Sequence, residues 1–360
     1  MKEFNNVFEG KTILVTGHTG FKGSWLSIWL KGLGAEVIGY ALDPNTNRDN
    51  FILSGLNKKI IDIRGDIRDI NKLEDVFKKY KPEIVFHLAA QSLVGLSYKM
   101  PRETYEVNLM GTLNILECIR KSHSVKVGIM ITSDKCYENK EQLWGYREKD
   151  SMGGYDPYSS SKGCSEILIN SYRASFMNPL DYKKHGKSIA SARAGNVIGG
   201  GDWAKDRIIP DCIRYLEINR PIEIRNPLAV RPWQHVLEPL SGYLLLAKRL
   251  LESPKVYCEP WNFGPGFESV ITVKEMVEKV IDLYGYGEIR DVSKNNKFHE
   301  AKLLNLDISK ALFKLGWKPK LSIDKALELT IDWYKRYQRE DVYGLCKEQI
   351  KKYNSKGVEK

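Results

Sequence analysis

The sequence predicts an α/β protein built on a doubly wound parallel sheet. Apolar runs of strand length alternate with helical patterns through the first half of the chain, at the spacing of parallel strands joined by helices. A glycine-rich turn, with Gly17, Gly20 and Gly23, joins the first strand to the first helix. After Asn196, glycines and prolines interrupt short elements, which predicts a smaller mixed lobe over the strand ends.

Each element is predicted from its own pattern. Gly34 is placed to end the first helix, and Asp69 is placed to cap the helix that begins after it. The predicted strands are 12–16, 36–42, a third from residue 58 to about 64, 83–90, 126–132 and 187–194, with residues near 259–263 returning to the sheet. The predicted helices are 24–33, 69–79, 102–121 and 158–176.

The three glycines of the first turn have separate expected roles. Gly17 permits a sharp turn out of the strand, Gly20 allows a pyrophosphate to approach the backbone, and Gly23 allows close helix packing. The helix that follows offers free N–H groups and a partial positive charge to phosphates. Strand, glycine turn, helix and strand together predict a Rossmann-type dinucleotide-binding unit.

The bulk composition excludes several classes of protein. The 360 residues are 42% hydrophobic and 28% charged, and no apolar run has the length of a membrane helix or a signal peptide. We therefore expect a cytoplasmic protein with no membrane partner. The net charge of +11 comes from lysines spread along the chain, so we expect no nucleic-acid partner.

The cysteines and histidines predict no metal site. The six cysteines form no Cys-x-x-Cys pair, and the six histidines form no His-x-x-x-His pair. We expect reduced thiols and no structural or catalytic metal.

Tyr158 and Lys162 are four residues apart, so they share one face of the predicted helix. A tyrosine has a reference pKa of about 10, and a nearby ammonium and a nicotinamide cation are expected to lower the pKa of Tyr158. Ser133 ends the preceding strand and can hydrogen-bond a substrate hydroxyl. These residues predict oxidation of an alcohol, with hydride transfer to NAD.

Asp134 and Lys135 directly follow Ser133 and add an acid and a base at the same strand end. Simple alcohol oxidation does not need them. The residues alone leave two interpretations open, a second pair of proton-transfer groups or a solvent-facing loop pair.

The motifs resemble the extended short-chain dehydrogenase/reductase family, and within it the CDP-D-glucose 4,6-dehydratases. The glycine spacing carries the first resemblance, and residues 132–137, 191–203 and 231–239 carry the second, which extends from Gly10 to about Tyr337. The resemblance implies that bound NAD takes hydride from sugar C4 with the help of Tyr158, Lys162 and Ser133. It further implies that Lys135 removes the C5 proton and Asp134 protonates the leaving C6 hydroxyl, after which hydride returns to C6. Which of the two residues makes which transfer stays open.

The same resemblance assigns ligand-binding residues. Asp66 and Ile67 are expected at the adenine, and Asp43 at the ribose, where a carboxylate favours NAD over NADP. The expected cofactor-binding residues are Gly17, Thr19, Gly20, Phe21, Lys22, Gly23, Asp43, Asp66, Ile67, Leu88, Ala89, Ala90, Tyr158 and Lys162. The expected substrate-binding residues are Asn196, Arg207, Arg225, Arg231 and Asn262.

The resemblance also implies an organisation. We expect a Rossmann NAD-binding domain over 1–195, a nucleotide-sugar-binding lobe over 196–350 with some segments returning to the first domain, and a flexible tail over 351–360. Helices 102–121 and 158–176 resemble a dimer-forming pair, so a homodimer or a dimer of dimers is expected. Deoxysugar biosynthesis, of the kind that supplies O-antigen, is the expected context.

Two other functions are compatible with these motifs. A UDP-N-acetylglucosamine 4,6-dehydratase also resembles this chain through its Asp-Lys pair. A non-catalytic NAD-binding scaffold is the second alternative, although intact Tyr158, Lys162 and Ser133 favour an enzyme.

Overall fold

The structure is a computed structural model that describes Phe4 and residues 6–266, 269–293 and 303–355. The strands are β1 (Thr12–Thr16), β2 (Glu36–Ala41), β3 (Ile61–Arg64), β4 (Ile84–His87), β5 (Val127–Ile131), β6 (Ser188–Ala194), β7 (Val197–Ile198), β8 (Ile222–Ile224), β9 (Val230–Pro232), β10 (Gln234–His235), β11 (Pro260–Phe263), β12 (Val270–Thr272) and β13 (Ile289–Asp291).

Helices alternate with the strands along the chain. They are α1 (Phe21–Gly32), α2 (Asn50–Leu53), α3 (Ile70–Tyr80), α4 (Val94–Lys99), α5 (Pro101–Tyr105), α6 (Gly111–Lys121), α7 (Pro157–Ser175), α8 (Tyr182–His185), α9 (Ile208–Glu217), α10 (Leu237–Glu252), α11 (Val273–Tyr284), α12 (Ile323–Arg336) and α13 (Val342–Ser355). The predicted capping residues are confirmed, because Asp69 accepts a hydrogen bond from the Lys72 amide and Gly34 follows α1 with φ of +85°.

A seven-stranded sheet in the order β11-β6-β5-β4-β1-β2-β3 forms the centre of the protein. Every pairing in it is parallel. The strand order reverses between β1 and β4, and in such sheets ligands bind in the crevice outside the carboxyl ends of the strands at this point. The predicted doubly wound parallel sheet is confirmed, and so is the return of residues near 259–263 to it, as β11.

The core has one layer on each face of the sheet. Alternate residues of a strand point to opposite faces, so Ile13 and Val15 join one buried cluster and Leu14 joins the other. Trp25 and Trp29 of α1 lie in the first cluster and are almost fully buried. This packing fixes α1, and therefore the glycine turn, against the end of β1.

Three small two-stranded sheets of described residues lie outside the central sheet. They pair β7 with β10 and β8 with β13 in parallel, and β9 with β12 in antiparallel orientation. These mixed sheets fall in the second half of the chain, where the smaller lobe is predicted. The boundary at residue 195 and the substrate-binding role of the lobe stay predictions.

Several predicted boundaries and the predicted tail need correction. The strand predicted over 83–90 ends at His87, and the strand predicted from residue 58 begins at Ile61, after a short 3-10 turn. The helix predicted over 102–121 begins at Pro101 and contains a π turn at Glu106–Met110. The flexible tail predicted from residue 351 is wrong for residues 351–355, which continue α13, whereas residues 356–360 lie outside the described residues. Although this segment is rich in lysine, the helix also has a buried apolar face. The Tyr353 ring lies on that face, with its centroid 5.8 Å from the centroid of the Trp29 ring.

No helix within the described ranges combines the length and apolar character that a membrane crossing requires.

Candidate active site

The candidate site lies where β1, β4, β5 and β6 end, at one edge of the sheet. The segments that leave these strands begin at Gly17, Leu88, Thr132 and Gly195, and parallel strands bring them to the same crevice. Side chains that are far apart in the sequence therefore meet here.

The glycine turn leaves no room for side chains. Gly17 has φ of +74°, and a Cβ there would lie 2.8 Å from the Ala89 amide nitrogen. A Cβ on Gly23 would lie 2.1 Å from the Gly17 carbonyl oxygen. Gly23 therefore allows the helix to pack closely against the glycine turn, rather than against the strands of the sheet. Gly20 is the N-cap of α1, and the described residues form no side-chain capping hydrogen bond there. The helix end is thus open to a phosphate group.

The residues beside this turn are held in place by contacts with neighbouring segments. The Thr19 hydroxyl donates to the Leu42 carbonyl oxygen at 3.0 Å, and a Cβ on Gly199 would lie 3.0 Å from the Phe21 ring. Burial lowers the pKa of Lys22 to about 8; the positive charge of Arg207 adds to this shift and Asp134 opposes it.

Further along the crevice lie the residues predicted to bind the adenosine. Asp43 follows the end of β2, is 87% exposed, and lies 3.6 Å from Arg64. Asp66 accepts bonds from the Arg68 guanidinium at 2.6 Å, and this bond lowers the pKa of the Asp66 carboxyl. Ile67 is buried. The segment after β4 is half-exposed and leaves room for a flat group over the edge of the sheet; it consists of Leu88, Ala89 and Ala90.

Tyr158 and Lys162 lie in the first turns of α7, and both side chains are buried. The Lys162 Nζ donates to the Ile131 carbonyl oxygen at 3.5 Å, and burial lowers its pKa to about 8. Burial raises the pKa of Tyr158 to about 12, although the Ser133 hydroxyl and the charge of Arg207 act in the opposite direction. The predicted lowering of the Tyr158 pKa is therefore not produced by the protein groups, because desolvation of the phenolate outweighs them.

Asp134 points into the protein rather than into solvent. It is 2% exposed, and its Oδ1 accepts a hydrogen bond from the Ser133 hydroxyl at 2.9 Å. Its buried Oδ2 has no hydrogen-bond partner among the described residues and lies beside Gly195, where a Cβ would be 2.9 Å away. Burial raises the pKa of Asp134, while Lys135, Ser133 and Lys22 partly offset this effect. Lys135 is half-buried in the short turn that follows.

Arg207 is a predicted substrate-binding residue whose contacts reach the crevice, whereas Arg225 and Asn196 lie just after β8 and β6. The Arg207 guanidinium lies 2.8 Å from Asp202 and 3.2 Å from the Ser92 hydroxyl, and its charge acts on Tyr158. Arg225 is 54% exposed and pairs with Asp206 at 3.0 Å. Asn196 is half-buried just beyond β6.

The other two predicted substrate residues differ in their surroundings. In β9, the Arg231 guanidinium donates to the Val230 carbonyl oxygen at 2.8 Å. Asn262 is fully buried in β11; it accepts a bond from the Tyr137 hydroxyl and donates to the carbonyl oxygens of Tyr146 and Asp307. Its amide group is thus fully engaged, so the assignment of Asn262 to the substrate site is corrected to a structural role.

The sequence reasoning missed a buried pair of charged residues on α7 and β6, next to the site. Glu166 and Arg193 form an ion pair at 2.7 Å, with both side chains less than 5% exposed. The available signal was spacing, because Glu166 lies four residues after Lys162, and Arg193 lies inside the 191–203 motif. Within the described ranges, no group of three or more His, Cys, Asp or Glu side chains could hold a metal ion.

Comparisons with known proteins agree with this geometry. Residues 14–330 match the sequence model of the GDP-mannose 4,6 dehydratase family. The chain is 51% identical to CDP-glucose 4,6-dehydratase of Salmonella typhimurium, over 97% of this chain and 98% of that protein.

Solved structures show the same fold. An epimerase from Methanothermobacter thermautotrophicus has a TM-score of 0.80 at 24% identity, covering 97% of each chain. The dTDP-glucose 4,6-dehydratase of Bacillus anthracis, solved with NAD, has a TM-score of 0.76 at 22% identity, covering 94% of this chain and 100% of that one. The central sheet, the site at its carboxyl edge and the match over most of the chain lead to one conclusion: the protein belongs to the GDP-mannose 4,6 dehydratase family.

Proposed function

We propose that the protein converts CDP-D-glucose to CDP-4-keto-6-deoxy-D-glucose and water, as an NAD-dependent 4,6-dehydratase. The observation that carries this proposal is the buried carboxyl of Asp134, bonded to Ser133 and close to Tyr158, with Lys135 next to it. An oxidoreductase that only moves hydride does not need this pair. The 51% identical relative, named CDP-glucose 4,6-dehydratase, supports the choice of substrate.

The glycine turn fits the pyrophosphate of NAD, because side chains on Gly17 and Gly23 would fill the cradle and the N-terminus of α1 is open. Thr19, Gly20, Phe21 and Lys22 would complete this end of the cofactor site. Bound NAD would supply the hydride acceptor for sugar C4 and the hydride donor for C6.

The adenosine half of NAD would lie over the edge of the sheet. Asp43, which is exposed beyond β2, would face the ribose hydroxyls and repel a 2′-phosphate. Asp66 and Ile67 would flank the adenine, and Leu88, Ala89 and Ala90 would provide the floor.

Tyr158 would take the proton of the sugar C4 hydroxyl, which Ser133 would hold by a hydrogen bond. Because burial keeps the phenol protonated in the protein alone, ionisation needs further positive charge. The Lys162 ammonium and the cation of the oxidised nicotinamide would supply it.

Elimination would follow at C5 and C6. A keto group at C4 acidifies the C5 hydrogen, which Lys135 would remove as a proton. Asp134 would protonate the C6 hydroxyl as the C–O bond breaks, so one water leaves. Burial raises the pKa of Asp134, a shift that favours the protonated form that a general acid needs.

The nucleotide diphosphate would lie on the side of the smaller lobe. Arg207, Arg225 and Arg231 would face its phosphates or ribose, since a guanidinium can bind phosphate oxygens in a bidentate way. Asn196 would contribute an amide to the same ligand.

A homodimer is the proposed assembly, through α5, α6 and α7. Met110 and Ile167, on the π turn before α6 and on α7, are 47% and 61% exposed, which suits an apolar contact between copies. Light scattering coupled to size-exclusion chromatography tests this assembly.

The cytoplasmic location and the role in making deoxysugars for O-antigen stay predictions.

Turnover of three nucleotide sugars tests the choice of substrate. The purified protein is incubated separately with CDP-glucose, UDP-glucose and UDP-N-acetylglucosamine, and the 4-keto sugar is measured by its alkaline absorbance. We expect product from CDP-glucose at the highest rate. Turnover of UDP-N-acetylglucosamine without turnover of CDP-glucose would favour the alternative dehydratase, and no product from any of the three would contradict the proposal.

A further inference from the structure

Glu166 is a fully enclosed carboxylate next to the catalytic helix face. Its Oε1 accepts a hydrogen bond from the Thr132 hydroxyl at 2.5 Å. Its Oε2 accepts bonds from the Ser191 hydroxyl at 2.8 Å and from the Arg193 guanidinium at 2.7 Å. Thr132 is the residue before Ser133, whose hydroxyl is proposed to bind substrate. The hydrogen bond to Thr132 therefore links Glu166 on α7 to the segment that carries this hydroxyl.

Glu166 also lies one helical turn beyond Lys162, on the same face of α7. The Lys162 Nζ has one hydrogen bond among the described residues, to the Ile131 carbonyl oxygen at 3.5 Å. The side chain is 5% exposed. A buried ammonium with one long hydrogen bond needs negative charge nearby to keep its proton.

Within the described ranges, the other titratable groups around Lys162 do not supply that negative charge. Lys22 from α1 is itself a cation. His87 at the end of β4 is neutral, because burial lowers its pKa to about 3. The Cys136 thiol is neutral, because burial raises its pKa well above the ordinary value. Glu166 is the carboxylate that acts on Lys162 and favours its charged form.

The groups around Glu166 keep it ionised. Arg193 from β6 pairs with it directly, and the charge of Arg173 on the same helix also interacts with it. Burial raises the pKa of Glu166, but the charge and hydrogen bonds of Arg193, Thr132 and Ser191 outweigh this and lower it overall. The carboxylate is therefore negative throughout the neutral range.

We propose that Glu166 is a positioning residue for the reaction. It supplies the buried negative charge that keeps Lys162 protonated, and it holds Thr132 so that Ser133 faces Tyr158. It does not touch substrate or cofactor. This inference rests on the proposed function for the roles of Lys162 and Ser133, but the charge relationship between Glu166 and Lys162 stands without it.

The first test measures the protonation of Lys162 without substrate. Lysine labelled with ¹³C at Cε is titrated by NMR, and the Lys162 resonance is assigned by its loss in Lys162→Met. We expect its pKa near 8 in the native protein and lower by about one unit in Glu166→Gln, the lower end of the shift expected for a charge nearby. An unchanged pKa in a folded Glu166→Gln protein would overturn the inference, whichever substrate the enzyme uses.

The second test is the pH dependence of kcat. The ratio of Glu166→Gln to native kcat should fall about tenfold as pH rises through the interval between the two Lys162 pKa values, since one pKa unit is a tenfold change in proton affinity. Glu166→Asp keeps the charge, and Thr132→Val removes a hydrogen bond but no charge. Both should lower kcat by a factor that does not change with pH. If the kcat ratio for Glu166→Gln were also independent of pH, Glu166 would act only through packing.

Glu166→Gln leaves Arg193 as a buried cation without its partner, which destabilises a protein strongly. If that variant does not fold, Glu166→Gln/Arg193→Met removes both charges, and the lower Lys162 pKa is still expected. If Lys162 shifts as expected but CDP-glucose is not turned over, the proposed function fails while the charge relationship holds.

Discussion

Replacement of Asp134 by asparagine should stabilise the protein and inactivate it at the same time. The side chain is 2% exposed, and its Oδ2 has no hydrogen-bond partner in the part of the chain that the structure describes. Burial raises the pKa of this carboxyl, so the folded state favours the neutral acid. Asparagine has nearly the same shape and never carries the charge.

The pH dependence of the stabilisation follows from proton linkage. Folding raises the pKa of this carboxyl above its unfolded value of about 4. Its contribution to the free energy of unfolding is complete below the unfolded pKa, and it is lost as pH rises through the folded pKa. The native protein should therefore lose stability relative to Asp134→Asn by at most about 1.4 kcal/mol per pH unit in that window, after which the difference is constant. Turnover should fall by about 10²- to 10⁴-fold, the usual contribution of a general acid.

Urea unfolding of both proteins at pH 5 and pH 8 measures the difference in the free energy of unfolding. Asp75→Asn is the matched control, because Asp75 is exposed on α3, and it should give the same small difference at both pH values. The reasoning would be refuted if Asp134→Asn were less stable than the native protein at pH 8, or if it kept native turnover.

Three further substitutions separate the steps of the reaction and the cofactor site. Lys135→Ala should retain C4 oxidation but stall elimination, so NADH and a 4-ketoglucose nucleotide accumulate on the enzyme; unchanged turnover would contradict its role as base. Tyr158→Phe should block the first hydride transfer, with no NADH absorbance in a single turnover and kcat lower by about 10²- to 10⁴-fold. Gly23→Ala should weaken NAD binding measured by calorimetry, because its Cβ would lie 2.1 Å from the Gly17 carbonyl oxygen; Gly32→Ala in the same helix, with nothing within 4 Å of its Cβ, should bind NAD normally.

The sequence predicted those parts of the fold that depend on local pattern. The order of strands and helices, the Gly34 and Asp69 helix ends, and the turn at Gly17 follow from periodicity and from the conformations that individual residues allow. The position of Ser133 at the crevice was also predictable, since it follows β5 and parallel strands place their carboxyl ends at one edge.

The parts that were missed depend on tertiary contacts. The rise that burial alone produces in the pKa of Tyr158 could not be inferred from its spacing to Lys162, because the extent of burial depends on tertiary contacts. Asn262 carries the same amide whether it faces a ligand or, as here, three protein partners. The lysines at the end of α13 suggested a solvated tail, whereas Tyr353 is fully buried and donates to Glu238 at 2.7 Å.

The most direct test of the proposed reaction follows one hydrogen atom. CDP-glucose carrying deuterium at C4 is mixed with an excess of the NAD-loaded enzyme, and the product of a single turnover is analysed by NMR and mass spectrometry. The reaction proposed here places that deuterium on C6 of the 4-keto-6-deoxy sugar, with a solvent hydrogen at C5. Product with no deuterium at C6, or recovery of the label in solvent, would contradict it.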